Sequence, residues 1–424
     1  MSWLYGWSKR IKLTIDHERI DGDLTNFPVL MTLASEVGRN SMDVTNVFDE
    51  LITVSGTKKI AVTTSDEETQ CYVEIERWDW DNEKACLWVK VPTIVSGTDT
   101  DFYLYYDKDQ SDNDLYVGDV GSTPARNVWD SNFKAVWHMS QDPTGGTNCI
   151  KDSTFNTNHG TPAGSMTSDD LVDGKVGKAL DFDGSDDSIG ETSIDVSGDF
   201  SVEWIIKPTS VSDYNQQMMA INGWGSFTVH TENDGGLYVG TDITKRFTPS
   251  DTGAGIYSVG NYDYVAYVYD GANGRVYENE TLLCGPKAQD APDAWGGFRI
   301  SPGAHGIFDE IRVSNTNRSS AWIKTTYYSN WDNLMTFGAE EYTPAPLFYY
   351  EGYITVESTP AARIINLYKR DTGELMDSTT SSGSNGYFKL GSSYDDYHFV
   401  VALPDLSENY AILTDDKIHP TGGN

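Results

Sequence analysis

Acidic and amide side chains dominate the residues that could do chemistry in this sequence. Asp309 lies in Phe308-Asp-Glu-Ile-Arg-Val-Ser-Asn315. Strict alternation there puts it on the face of Ile307, Ile311 and Val313, aimed at a core. A buried carboxylate has to be paired, hydrogen-bonded or metal-bound. Two readings follow: a structural aspartate that accepts hydrogen bonds from a loop, or a calcium ligand. Asp152, Asn156 and Asn158 would be its oxygen-donating companions in the second, although Asn158 and Gly160 also read as turn residues. Asp181, Asp183, Asp186 and Asp187 surround Gly184. The glycine falls too early for a helix-loop-helix calcium loop and the closing glutamate is missing, so a solvated turn is expected.

Catalysis needs convergent groups, and none is expected from the sequence. Glu74-Ile-Glu76 and Glu278-Asn-Glu280 alternate as a glycanase pair would, but the first lies outside the segment expected to carry function. The second lacks an intervening aspartate. Asp309 and Glu310 are neighbours and should face opposite ways. His138, His159 and His305 are scattered, and no nucleophile elbow or HExxH is present. The reading is a protein without catalytic residues. Ligand contact is assigned instead to Trp224 in Asn222-Gly-Trp-Gly225 and Trp295 in Asp293-Ala-Trp-Gly-Gly297. These rings sit in glycine-flanked loops, where they could stack on sugar faces or fold back into a core.

The elements that must position these residues are strands. Tyr, Trp and Phe number 25, 12 and 15 beside 39 Gly in 424 residues, and helical heptads are missing, so the chain reads as all-β. Three segments emerge. In about 1–120, Ile11, Leu13 and Ile15 share a face, and further strands surround Phe27–Leu33, Tyr72–Glu76, Ala85–Val91 and Asp101–Tyr106. In 126–342, Phe200, Val202, Trp204 and Ile206 share a face, and one helix is expected at Ser320–Tyr328, capped by Ser319 or Ser320. A two-proline spacer, Tyr342–Leu347, leads to a small sandwich over 347–424.

The formal charge of -34 disfavours nucleic acid and anionic membranes as partners. No apolar run reaches the length of a membrane helix, and no secretory leader is visible at Met1–Arg10. Cys71, Cys86, Cys149 and Cys284 fit no zinc spacing, and folding about Asp81-Asn82 keeps the first two apart, so all four are expected reduced.

Three resemblances run along the chain. Trp7–Asp16, Asp23–Leu30 and Leu87–Pro92 resemble a domain of unknown function that precedes laminin-G-like modules in bacterial surface and phage proteins. Ala135–Met139, Asp152–Gly160, Gly177–Gly184 and Phe308–Asn315 resemble, in order, the concanavalin-A-like (laminin-G-like) jelly roll. Leu367–Leu375, Gly386-Tyr-Phe388 and Tyr410–Asp415 are similar to small C-terminal domains of phage structural proteins. Together they imply tandem β-sandwiches with a central concanavalin-A-like jelly roll. The expected role is that of a non-enzymatic virion protein, a tail-fibre or receptor-binding component contacting host surface glycan, with calcium as a possible cofactor. Other virion proteins and further copies of the chain are the expected partners. Adhesive modules without an export leader fit a particle released by lysis. An architectural virion protein, a glycan-degrading enzyme and a host adhesin are the alternatives.

Overall fold

Alternating apolar residues become strands throughout the computed structural model of the chain. It describes residues 3–51, 56–190, 194, 196, 198–210, 216–221, 227–231, 236–241, 244–253, 256–292, 297–300, 303–343, 348–353, 355–356, 359–369, 373–392, 398–403, 413–418 and 421–422. The chain divides into two units, Met1–Glu341 and Tyr342–Asn424. It is all-β, with sandwich and jelly-roll sheets.

The first sandwich contains β1 (Lys9–Ile15), β2 (Leu24–Leu33), β3 (Ile60–Thr64) and β4 (Gln70–Cys71). It continues with β5 (Val73–Asp79), β6 (Lys84–Ile94), β7 (Thr100–Tyr106) and β8 (Val117–Asp119). One sheet has the order β2-β6-β5-β8, with β5 and β8 parallel. Ile11, Leu13 and Ile15 enter its core as the alternation predicts.

The jelly roll follows with β9 (Phe133–Trp137), β10 (Thr161–Ala163), β11 (Leu171–Asp173), β12 (Lys178–Asp183) and β13 (Ser188–Gly190). Next come β14 (Phe200–Pro208), β15 (Gln216–Ile221), β16 (Phe227–Thr231) and β17 (Leu237–Gly240). It ends with β18 (Asp263–Tyr269), β19 (Asn273–Glu278), β20 (Thr281–Ala288), β21 (Phe298–Ile300) and β22 (His305–Ser314). Its larger sheet runs β11-β12-β22-β14-β18-β19-β20, with β9 also on β22; its smaller sheet runs β10-β13-β21-β15-β16-β17.

The larger sheet is covered on both faces. Val202, Trp204 and Ile206 of β14 fill the jelly-roll core, while Ile205, Tyr264, Ala266 and Val268 join the core of the first sandwich. Burial on both sides explains why β14 reads Phe-Ser-Val-Glu-Trp-Ile-Ile, nearly continuous rather than half polar.

The sheets do not follow the expected division into 1–120 and 126–342. After β22 the helix Ser320–Asn330 and β23 (Met335–Tyr342) return to the first sandwich. β23 is the edge strand beside β1, giving the order β23-β1-β7-β3-β4. Trp322 of the helix packs edge-on against Phe27 at 4.7 Å, and Ser329 accepts the Leu30 N–H through its hydroxyl. Buried Arg10 of β1 binds Glu67 and, at 2.7 Å, Glu341 of β23. A bare β1 edge would expose unpaired backbone groups, which the returning strand satisfies. The helix itself matches expectation: Ser319 caps it by accepting from the Trp322 N–H.

In the second unit, strands Leu375–Thr380, Ile364–Lys369, His398–Ala402 and Leu413–Ile418 form one sheet. Ile365, Leu367, Phe388, Leu390, Val400 and Ala402 make its small core.

Candidate functional site at the seam between the sandwiches

Two extra residues, one in each facing sheet, create a buried polar site. On β22, Arg312 pairs with Glu203 and Asp309 with Ile205, so two residues, Glu310 and Ile311, oppose Trp204 alone. Glu310 takes a left-handed conformation, φ 48°, as the extra residue of this bulge. The consequence is a change of face. Phe308, Ile311 and Val313 point into the jelly-roll core, and Asp309 does not share their side as alternation had it. Asp309, Glu310 and Arg312 instead lie along the first sandwich, fully buried. Across the seam, Ile75 pairs with Leu87 and Arg77 with Cys86, leaving Glu76 as a second extra residue. Glu74 sits opposite Trp88 on that face.

His138, one residue past β9, is the hub. Its Nδ1 donates to Glu310 Oε1 at 2.6 Å and lies 3.5 Å from Glu76, while Nε2 lies 3.5 Å from Glu74. The indoles of Trp88 and Trp129 donate to Glu76 and Glu74 at 2.8 and 2.5 Å. Arg312 donates to Glu310 at 2.7 Å and its guanidinium lies over the Trp88 ring. His138 stacks on Trp88. Burial opposes a charge on His138, but Glu310 and Glu76 outweigh it and hold the imidazolium well above its usual range. Burial pushes the Glu76 carboxyl up to about 8 despite His138. Asp309 is driven up as well, by burial and by the charge of Glu310. Burial acts on Glu310 too, yet His138 and Arg312 pull it below the ordinary value. The site therefore holds some carboxyls protonated and others as ion pairs.

The seam opens on one side into a groove of about 730 Å³. Glu76, Trp78 and Trp80 wall it from the first sandwich with Lys58 and Asp119; Ser140, Gln141 and Lys151 close it from the jelly roll. Trp78 and Trp80 lie 5.5 Å apart, braced by Phe48. The indole N–H of Trp78 is buried and has no hydrogen-bond partner among the described residues.

The expected calcium set does not assemble. Asp152 accepts from the N–H groups of Val136, Thr154 and Asn158 and from the Thr154 hydroxyl. The amides of Asn156 and Asn158 donate to the carbonyls of Phe133 and Lys134. These three organise one loop. Asp309 stands elsewhere, accepting from the Val176 N–H at 2.9 Å, which is the structural alternative weighed for it. Asp183 accepts from Ser185 and Asp186 in a turn around Gly184, φ 76°. All four cysteines are free thiols. Trp224 and Trp295 lie outside the described residues.

Reasoning from alternation missed Glu74, Glu76, His138, Glu310 and Arg312 as a group, because it treated the carboxylates as divergent. A signal was there. Asp309-Glu310 and Arg312 interrupt a strand that is otherwise mostly apolar, whereas Glu74-x-Glu76 reads as the ordinary polar side of β5.

The sequence profile of a "Domain of unknown function (DUF2341)" matches residues 57–121, the part that carries Glu74 and Glu76. No curated protein matches the sequence. Similar solved structures include domain 4 of AbnA, an extracellular arabinanase from Geobacillus stearothermophilus, in complex with arabinotriose. It is 18% identical, with a TM-score of 0.36 over 46% of this chain and 97% of that one. Another is the botulinum neurotoxin type C structure concerned with two ganglioside molecules, 8% identical, TM-score 0.37, over 64% and 65% of the two chains. A third is Trypanosoma rangeli sialidase, 9% identical, TM-score 0.36, over 57% and 42%. Among the described residues no helix is long and apolar enough to cross a membrane.

Proposed function

We propose that this chain is a non-catalytic glycan-contacting protein on the exterior of a phage or similar virus particle, as a tail-fibre or receptor-binding component. The groove at the seam is the observation that carries the binding part. Its two indoles offer flat apolar faces, and Lys58, Asp119, Gln141, Ser140 and Lys151 offer donors and acceptors around them. That mixture suits a hydroxyl-rich ring. The charge of -34 favours a neutral glycan over an anionic one, because long-range repulsion slows the approach of polyanions. Placement on a virion is supported by the likeness of 347–424 to C-terminal domains of phage structural proteins.

The buried acids argue for binding rather than turnover. Glu74, Glu76 and Glu310 converge, but their side chains are sealed, and His138 and Arg312 both pair closely with Glu310. The same sealed seam favours a second reading, a purely architectural part whose sheets are locked together.

A glycan array probed with the full chain, alongside an assay for released reducing sugar, tests this. Binding to neutral glycans without release is expected. Trp80→Ala should weaken binding about three- to tenfold, the worth of one aromatic contact. Sugar release would make it an enzyme. Binding untouched by Trp80→Ala would move the site away from the groove, and no binding would leave the architectural reading.

A further inference from the structure

We propose that His138, Glu76 and Glu310 form a site for a divalent transition cation of the zinc class, placed between the two sandwiches. One donor atom from each of the three lies within 4.8 Å of the others. His138 comes from the jelly roll just after β9, Glu310 from β22 and Glu76 from β5, so the ion would bridge both sandwiches.

Charge supplies the first argument. Glu74, Glu76, Asp309 and Glu310 are carboxylates buried together, and only His138 and Arg312 are cationic among them. Glu203 is buried beside Arg312 as well, so acids outnumber bases here and the excess has to be met by protons or by a cation. The second argument is the state of the carboxylates. Glu76, whose side chain is 0% exposed, turns Oε2 toward His138, where it also accepts from Trp88, and its other oxygen has no donor among the described residues. One oxygen of Glu74 and one of Asp309 are likewise without a partner among the described residues. Buried acceptors of this kind are costly unless a proton or a metal satisfies them.

The surroundings match what ligands of a metal need. The second ring nitrogen of His138 faces the Glu74 carboxylate, Trp88 holds Glu76, and Arg312 holds the far oxygen of Glu310. An imidazole with two carboxylates suits zinc better than calcium, which prefers oxygen alone. Tetrahedral donors about 2.0 Å from zinc sit about 3.3 Å from each other. The His138–Glu76 separation is already 3.5 Å; the 2.6 Å His138–Glu310 contact has to open. The exchange is a simple one: the Nδ1 proton, with any proton on Glu76, leaves as the cation enters, and no electron moves. Glu76 is also a residue of the groove wall, so the cluster borders the groove on that side.

The test titrates zinc into chelator-treated full-length protein by calorimetry in two buffers of different ionisation enthalpy, with calcium in parallel. One zinc per chain, proton release, a raised Tm and no response to calcium are expected. Glu76→Gln keeps the shape of the side chain and should weaken zinc binding at least about tenfold. Should that variant not fold, nitrogen NMR of the native protein replaces it: zinc must shift the Nδ1 resonance of His138. No zinc bound, binding unchanged by Glu76→Gln, or an unmoved His138 signal would each overturn the site. Glycan binding is read separately through Trp80, so either proposal can fail alone.

Discussion

At the scale of single residues, the structure shows how one inserted position redirects chemistry. Glu310 carries a left-handed backbone that costs of order 1–3 kcal/mol for a non-glycine residue. What it gains is a charged triad of His138, Glu310 and Arg312 inside the protein. Glu310→Ala should therefore destabilise the first unit by about 3–5 kcal/mol, because Arg312 is left charged and buried. The double variant Glu310→Met, Arg312→Leu should recover much of that loss, since it removes both charges together. Urea denaturation of the three proteins measures this; equal losses in single and double variants would show that the pair does not act as a unit. The thiols give a second check. Burial pushes Cys71 and Cys284 up to about 12, and Cys86 higher still. Burial also raises Cys149, but this side chain is partly exposed, so iodoacetamide on the native protein should label it ahead of Cys71 and Cys86, as peptide mapping would show.

At the scale of elements, period-two alternation made β1 and β14 legible, and Ser319 with Trp322 and Thr326 marked the helix. The candidate site was not legible for the same reason that the strands were. Alternation assumes an unbroken pleat, and the bulges at Glu76 and Glu310 break it where the acids sit. The returning strand was hidden too, because pairing between residues more than three hundred positions apart leaves no local pattern. Asp332, with φ 53°, anchors that return by accepting the Gly38 N–H at 2.7 Å. Burial raises its carboxyl to about 6, with Gly38 and Lys175 opposing. A folded value above the unfolded one means that its stabilisation is complete below about pH 4 and is lost as pH rises through 6. Asp332→Asn keeps the acceptor and tolerates the left-handed backbone, so its Tm should fall less than the native protein's between pH 4 and 7. Parallel slopes in the two melting profiles would reject this role for Asp332.

At the scale of the whole molecule, the compact unit is Met1–Glu341 rather than either sandwich alone. Residues 1–120 lack β23, the helix and Trp129, all of which complete the first core. Expressed alone, that fragment should fail to unfold cooperatively, whereas 1–341 should melt in one transition and 342–424 in another. Circular dichroism and calorimetry of the three fragments decide it, and a cooperative 1–120 would show that the first sandwich is self-sufficient.

The return of the chain to β1 also bears on when the protein can form. A ribosome releases β1 about three hundred residues before β23, at about 5–20 residues per second. For some fifteen seconds or more the nascent first sandwich is missing an edge strand and its covering helix. Its exposed β1 margin is then open to pairing with neighbouring copies on the same polysome. Synthesis of the entire jelly roll must finish before its predecessor can close, which makes the earlier-translated of the two sandwiches the later to be completed.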